Sequence, residues 1–226
     1  MNERRTNEFF GLLRRREVLA PTWRGWIVLL LLMVLLAVGF IRSIHPFLAL
    51  SEPTNGGTLV AEGWVPDYVL RAAVDEFQRH NYDGFYITGG PLDWGAPLSK
   101  YKTHAELGAS TVVRLGLDSS LVDAVPTPDV HRDKTYASAV ALKKWLAKQD
   151  RDVRKLTVIS HGTHARRTRL LYQMAFGPGT EIGIIAVPDR DYEASRWWDS
   201  SDGVRDVINE TVAYLYARLL FRAPKE

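Results

Sequence analysis

The sequence predicts one α/β domain of the Rossmann-like kind, an open parallel five-stranded sheet with helices on both faces, preceded by one transmembrane helix. Three observations predict it. Beyond residue 57, short apolar runs alternate five times with amphipathic stretches, the pattern of strands and helices taking turns. The run Gly25 to Ile41 carries no charge. Finally, the strand-like run Lys155 to Ser160 passes through a polar turn straight into helical periodicity, and in such sheets ligands bind at strand ends of this type.

The elements follow in chain order. Residues 1–24 form a basic tail containing Arg4, Arg5, Arg14, Arg15, Arg16 and Arg24. Residues 25–41 read as the membrane span. At about 1.5 Å per residue they fall slightly short of a hydrocarbon core of about 30 Å, a gap that Trp23, Arg24 and Arg42 close at the interfaces. The basic residues precede the span, so the positive-inside rule leaves the N-terminus in the cytoplasm and the domain outside the inner, or cytoplasmic, membrane. A cleaved signal peptide is the competing reading, but Ala49-Leu50-Ser51 is a poor cleavage site and lies well beyond the apolar run. Residues 42–57, with Pro46, Pro53 and Gly56-Gly57, read as a linker, and 58–226 as the domain.

Within the domain the expected strands are Thr58 to Glu62, Gly84 to Thr88, Leu121 to Val125, Lys155 to Ser160 and Glu181 to Val187. The expected helices are Pro66 to His80, Thr103 to Leu115, Thr135 to Lys148, the one opening after His164, and Gly203 to Leu220. Val69, Leu70, Ala73 and Phe77 make one face of the first of these, and Ala139, Leu142, Trp145 and Leu146 the stripe of the third.

Charge location excludes one function class. The pI of about 9.1 suggests a nucleic-acid binder, yet seven of the 29 basic and three of the 26 acidic residues stand before residue 51. What remains, 22 basic against 23 acidic, gives no basic footprint on the folded part, so no nucleic-acid partner is expected. Cysteine is absent, which excludes disulfides, thiolate metal sites and a cysteine nucleophile.

The turn Ser160-His161-Gly162-Thr163-His164-Ala165-Arg166-Arg167 is the densest candidate site. The first N–H groups of a helix lack intrahelical partners and suit an anion, and the macrodipole normally disfavours cations there, so His161, His164, Arg166 and Arg167 at a helix start point to a bound negative group. A solvated arginine face is the bland alternative. Further polar residues fall at the same edge: Glu62-Gly63-Trp64 after the first strand, Gly89-Gly90 after the second, and Thr127 to Thr135 after the third. Glu106 opens a helix, where a carboxylate also stabilises the dipole whatever else it does. Ser160 beside His164 allows a nucleophile reading that still needs a third group to orient the histidine. His161, His164, Asp129, His131 and Asp133 have metal-ligating chemistry but no recognised ligand spacing, and no metal is assigned. Trp197-Trp198 reads as a sugar platform, an interfacial anchor or core packing. Asp189, Asp191, Asp199 and Asp202 crowd the same region, and most of them read as solvated loop or capping residues.

These residues resemble the ElyC/SanA/YdcF family. Thr88-Gly89-Gly90 matches its strand-ending motif, Glu106 its downstream glutamate, and Thr135 the threonine of its third element. His164 and Arg167 match its His-x-x-Arg turn, and Glu210 with Tyr214 its closing pair on the last helix. Arg132 with Ser138, Ser160-His161, and Glu62-Gly63-Trp64 at the end of the first strand depart from its usual residues, which leaves the ligand open. The resemblance implies a role in cell-envelope or surface-polysaccharide biogenesis and no established reaction. The function expected is binding, with hydrolysis as its catalytic version, of a phosphate-bearing small molecule or lipid-linked precursor. His164, Glu106 and Ser160 are the catalytic candidates; Glu62, Gly89, Gly90, Thr135, Ser138, His161, Arg166 and Arg167 are the binding candidates. The rival expectation is a non-catalytic module that recruits envelope-biosynthesis proteins. No cofactor is named, and a nucleotide-cofactor site is disfavoured because no G-x-G-x-x-G turn follows the first strand.

Overall fold

The computed structural model describes residues 7–8, 13–14, 19–93, 95 and 97–224. Arg4, Arg5, Arg15 and Arg16 of the basic tail lie outside the described residues. Two compact units divide after Ile41. The first holds a two-residue ladder, Asn7–Glu8 against Leu13–Arg14, and most of α1 (Trp23–Leu48). That helix is long and apolar enough to cross a membrane.

The second unit, from Arg42, is the α/β domain. Its strands are β1 (Gly57–Glu62), β2 (Tyr82–Gly89), β3 (Val122–Pro126), β4 (Lys155–His161) and β5 (Glu181–Val187). They form one parallel sheet in the order β3-β2-β1-β4-β5. Strand order therefore reverses between β1 and β4, and a crevice is expected at their C-terminal ends. The helices are α2 (Asp67–Arg79), α3 (His104–Arg114), α4 (Lys134–Lys148), α5 (Ala165–Phe176) and α6 (Ser201–Leu219).

Strand alternation divides the core. Leu59, Ala61, Phe85, Ile87 and Ile159 point to the face covered by α2 and α3, meeting Val69, Ala73 and Val112. Val60, Tyr86, Leu156 and Val158 point to the other face, against Leu142 and Leu146 of α4 and Tyr172 of α5. Glu62 shares the parity of Val60, and Ser160 that of Val158, so both polar side chains are carried to the α5 face. A third cluster joins Ile44, Leu48, Trp197 and Val207, which packs the start of α6 on the segment following Ile41.

One expectation changes. Residues 42–48 continue as helix rather than linker, Leu48 is fully buried, and Glu52 bridges Ile184 at the sheet edge. Pro46 lies within α1, so its breaker signal did not end the helix. Of the tryptophan pair, Trp197 is buried in the third cluster and Trp198 is exposed.

Candidate functional site

At the β1–β4 switch point lies a cavity of about 510 Å³, bounded by the strand ends, the loop after β3, and α4, α5 and α6. Its floor is charged. Glu62, at the end of β1, is 2% exposed and accepts hydrogen bonds from Ser160 Oγ at 2.6 Å, from Thr168 Oγ1 at 3.3 Å and from the Trp64 indole. Its other oxygen, Oε1, faces His164 Nε2 at 3.6 Å. Gly162, with φ of 44°, lets the chain turn from β4 into the short helical turn Gly162–His164 that delivers this imidazole.

On its far side, His164 Nδ1 lies 3.0 Å from Glu210 Oε1 of α6 and 2.8 Å from Arg167 Nη2. Arg167, one turn along α5, clamps the same carboxylate from Nε at 2.8 Å and Nη2 at 2.9 Å, the bidentate geometry a guanidinium favours. Carboxylate, imidazole, carboxylate and guanidinium thus form one chain of alternating charge.

The electrostatics follow from that order. Burial by itself would push His164 down, but the Glu62 charge and hydrogen bonds to Glu210 and Glu62 override both this and the nearby Arg167 cation. The result is raised to about 9 from 6.5, so His164 is an imidazolium at neutral pH. Burial would raise Glu62, yet the same imidazolium and the donors from Ser160 and Trp64 hold it below the usual carboxylate value. Glu210 likewise overcomes burial through Arg167 and His164 and drops to about 2. A proton parked on His164, with Nε2 facing Glu62 and the cavity, makes this group a proton donor.

The structure brings together Glu62, Gly89, Gly90, Thr135, Ser138, His164 and Arg167 around this cavity. Thr135 Oγ1 lies 3.5 Å from His164 Nε2, and Ser138 shares a 3.0 Å hydrogen bond with Thr127. Gly90 has open space where a side chain would be, whereas Gly89 packs on the start of α3.

Four candidates are placed elsewhere. Glu106 accepts from the backbone N–H groups of Lys102 at 2.7 Å and Thr103 at 3.1 Å, while Thr103 Oγ1 accepts from Glu106 N, a complete capping box. Its carboxylate serves α3 and is not on the cavity wall. Ser160 is fully buried, with its proton committed to Glu62, so it is a positioning residue rather than a nucleophile. Arg166 donates to the Phe47 carbonyl and lies over the Phe47 ring. His161 turns away too, with Nε2 2.6 Å from Tyr68 Oη and 3.2 Å from Asp189 Oδ2. Asp189 is correspondingly buried, its side chain 4% exposed, not a solvated loop carboxylate. Among the described residues no group of three or more metal-ligating side chains is gathered.

Trp64, Thr168 and Tyr172 went unassigned from sequence. Trp64 lines the cavity and meets His164 edge to face at 5.0 Å. Tyr172 Oη lies 3.3 Å from Thr88 Oγ1 beneath the floor. Comparison with protein families, curated proteins and solved structures finds no match to this chain.

Proposed function

We propose that this chain is a membrane-anchored protein of cell-envelope or surface-polysaccharide biogenesis, N-terminus in the cytoplasm, whose extracytoplasmic domain binds and hydrolyses a phosphate-bearing ligand. The observation that carries the chemistry is His164 held between Glu62 and Glu210 with Arg167 alongside. The phosphate sits against His164 and Arg167, and the open backbone of Gly90 lines the same cavity. Asp129, Thr127 and Ser138 line the same cavity and are acceptors and hydroxyls of the kind that hold a hydroxyl-rich moiety such as a sugar, and the partly exposed Trp64 ring offers it a face. In the hydrolytic step water attacks phosphorus, the P–O bond to the leaving group breaks, His164 gives its proton to the departing oxygen, and the attacking water loses one proton to solvent, from which the imidazole is reprotonated. Arg167 stabilises charge on the phosphoryl oxygens.

The uncharged run in α1, the arginines before it and the resemblance of the Thr88, Thr135, His164, Arg167 and Glu210 pattern to the ElyC/SanA/YdcF family support the envelope assignment. Phosphate release and thermal stabilisation are measured together on the full chain in detergent with undecaprenyl phosphates, nucleotide sugars and simple phosphate esters, with and without divalent metal. Release that falls by about 100-fold or more in His164→Ala and survives in Ser160→Ala is the expected result. Stabilisation without release would make the domain a binding module. Neither effect with any phosphate compound would refute the phosphate reading.

A further inference from the structure

Beside the phosphate cavity lies a second hollow, a groove of about 320 Å³. The helix α4 turns Ala139, Leu142 and Leu146 into the core, while the adjoining strip of Tyr136, Ala137, Val140 and Ala141 stays half-buried and lines the groove. Val130, from the loop after β3, and Phe221 and Pro224, beyond α6, complete an apolar wall. Arg132 and Lys144 also line it and are exposed, the setting in which a long cationic side chain gives its hydrocarbon stem to a wall and keeps its charge in water.

The groove and the cavity share Pro128, Val130, Asp133 and Phe221. Pro128 is exposed and the other three are half-buried, so the boundary is a rim open to solvent and not a buried partition. Phe221 is held at that rim by ring contacts with Tyr136 at 5.1 Å and Tyr216 at 6.4 Å. The cavity itself adds Leu171, Ala213 and Ala217 to its charged residues, so apolar surface is present on both sides of the rim.

We propose that the groove takes the hydrocarbon chain of the ligand whose phosphate sits against His164 and Arg167, which makes that ligand a phosphate ester of a long-chain alcohol. The inference rests on the phosphate reading and deepens it. Two features select a chain of the same ligand over a separate partner. The shared rim lets a chain attached to the phosphate pass into the groove without crossing buried protein. The groove also has the size of a small-molecule pocket, roughly 300–1,000 Å³, whereas a stable protein interface covers about 800 Å² on each partner.

Binding of methyl, butyl, hexyl and octyl phosphate to the full chain in detergent is measured by calorimetry. The parent is compared with Ala141→Phe, which fills the groove, and Ala137→Glu, which charges it; both alanines line the groove and not the cavity. Complete burial of a methylene strengthens binding about fourfold and half burial about twofold. The expected result is a parent affinity that climbs about two- to fourfold per methylene from butyl to octyl, with the climb largely lost in both variants. Partition of the longer esters into detergent is common to the three proteins, so the difference between them reports the groove. Circular dichroism establishes which variants are folded, and either folded variant decides. Short esters that bind, with the same climb or no climb in all three proteins, would overturn the groove and leave the phosphate reading standing. No binding of any ester would overturn both. A parent that sediments as a dimer, shows no climb and turns monomeric in Ala137→Glu would also overturn the proposal and assign the groove to a second copy.

Discussion

The β1–β4 switch point and the corner where β2 meets α3 look alike in sequence, each offering a strand end, glycine and a glutamate, and they do opposite work. At the switch point Glu62 has side chains for partners: two hydroxyls, an indole and an imidazolium. At the corner Glu106 has backbone for partners, two N–H groups at the start of its own helix. A carboxylate answered by peptide donors completes a fold element, while one answered by a titratable charge makes a proton site.

The largest expected effect lies at the switch point. Glu62→Ala leaves the His164 imidazolium buried beside an empty position, and breaking one side of a buried pair costs about 3–5 kcal/mol. For a domain of this size each kcal/mol lowers Tm by about 2–4 °C, so a calorimetric fall of at least about 6 °C is expected. Glu62→Gln keeps the shape and removes the charge, and the His164 titration seen by NMR should move down from about 9. A His164 titration unmoved by the glutamine would end the coupled-pair account.

The pH dependence of stability tests the same network without mutation. His164 is raised from 6.5 to about 9, so its contribution is fully present below pH 6.5 and is lost as pH rises through 9. Glu210 is depressed from 4.5 to about 2, so its contribution is present above pH 4.5 and is lost as pH falls through 2. The two together place the maximum between about pH 4.5 and 6.5. Chemical denaturation across pH should show that plateau in the parent chain, with the alkaline decline flattened in His164→Ala; a parent chain whose stability keeps rising to pH 9 would contradict the assigned imidazolium.

The adjacent glycines sharpen the comparison next. A Cβ on Gly89 would stand 2.7 Å from His104 Cβ and 2.9 Å from Ala105 N, while one on Gly90 would meet nothing within 4 Å. Gly89→Ala should therefore destabilise by about 1–3 kcal/mol through overpacking. Gly90→Ala should stay within about 0.5 kcal/mol of the parent, yet weaken stabilisation by a phosphate ester, because its methyl enters the cavity. Equal melting shifts for the two variants would show that the corner and the cavity wall are not separate.

Much of this arrangement was legible. Apolar alternation gave all five strands to within a residue or two at most ends, and the polar strand ends located the cavity edge. The residues that escaped did so for physical reasons. Successive helix positions are turned by about 100°, so Arg166, Arg167 and Arg169 could not all face one ligand. Of the three only Arg167 lines the cavity, while Arg169 pairs with Glu52 at 2.6 Å. Glu210 stands 46 residues beyond His164, a separation to which no local pattern speaks; only the resemblance singled it out. Within the segment 42–57, burial of Ile44 and Leu48 overrode Pro46, while Pro53 and Gly56 stand outside the helix. Asp189 looked like one of several loop carboxylates until the fold set it against His161.

Glu106 is the sharpest case, since its true role was written in the sequence. Thr103-His104-Ala105-Glu106 is the capping-box pattern of threonine followed three residues later by glutamate, and the family resemblance drew attention to the carboxylate as chemistry instead. The smallest expected effect follows. Glu106→Ala removes the acceptor for two backbone N–H groups on a partly exposed helix start, which costs about 0.5–2 kcal/mol, and it leaves Glu62, His164, Arg167 and Glu210 untouched. Thermal unfolding should therefore shift slightly, and phosphate-ester stabilisation, phosphate release and the His164 titration should match the parent. Loss of release in Glu106→Ala with an unchanged melting point would reverse the contrast between the two glutamates, for then the carboxylate at the corner would act on the ligand and the capping box would be its resting place.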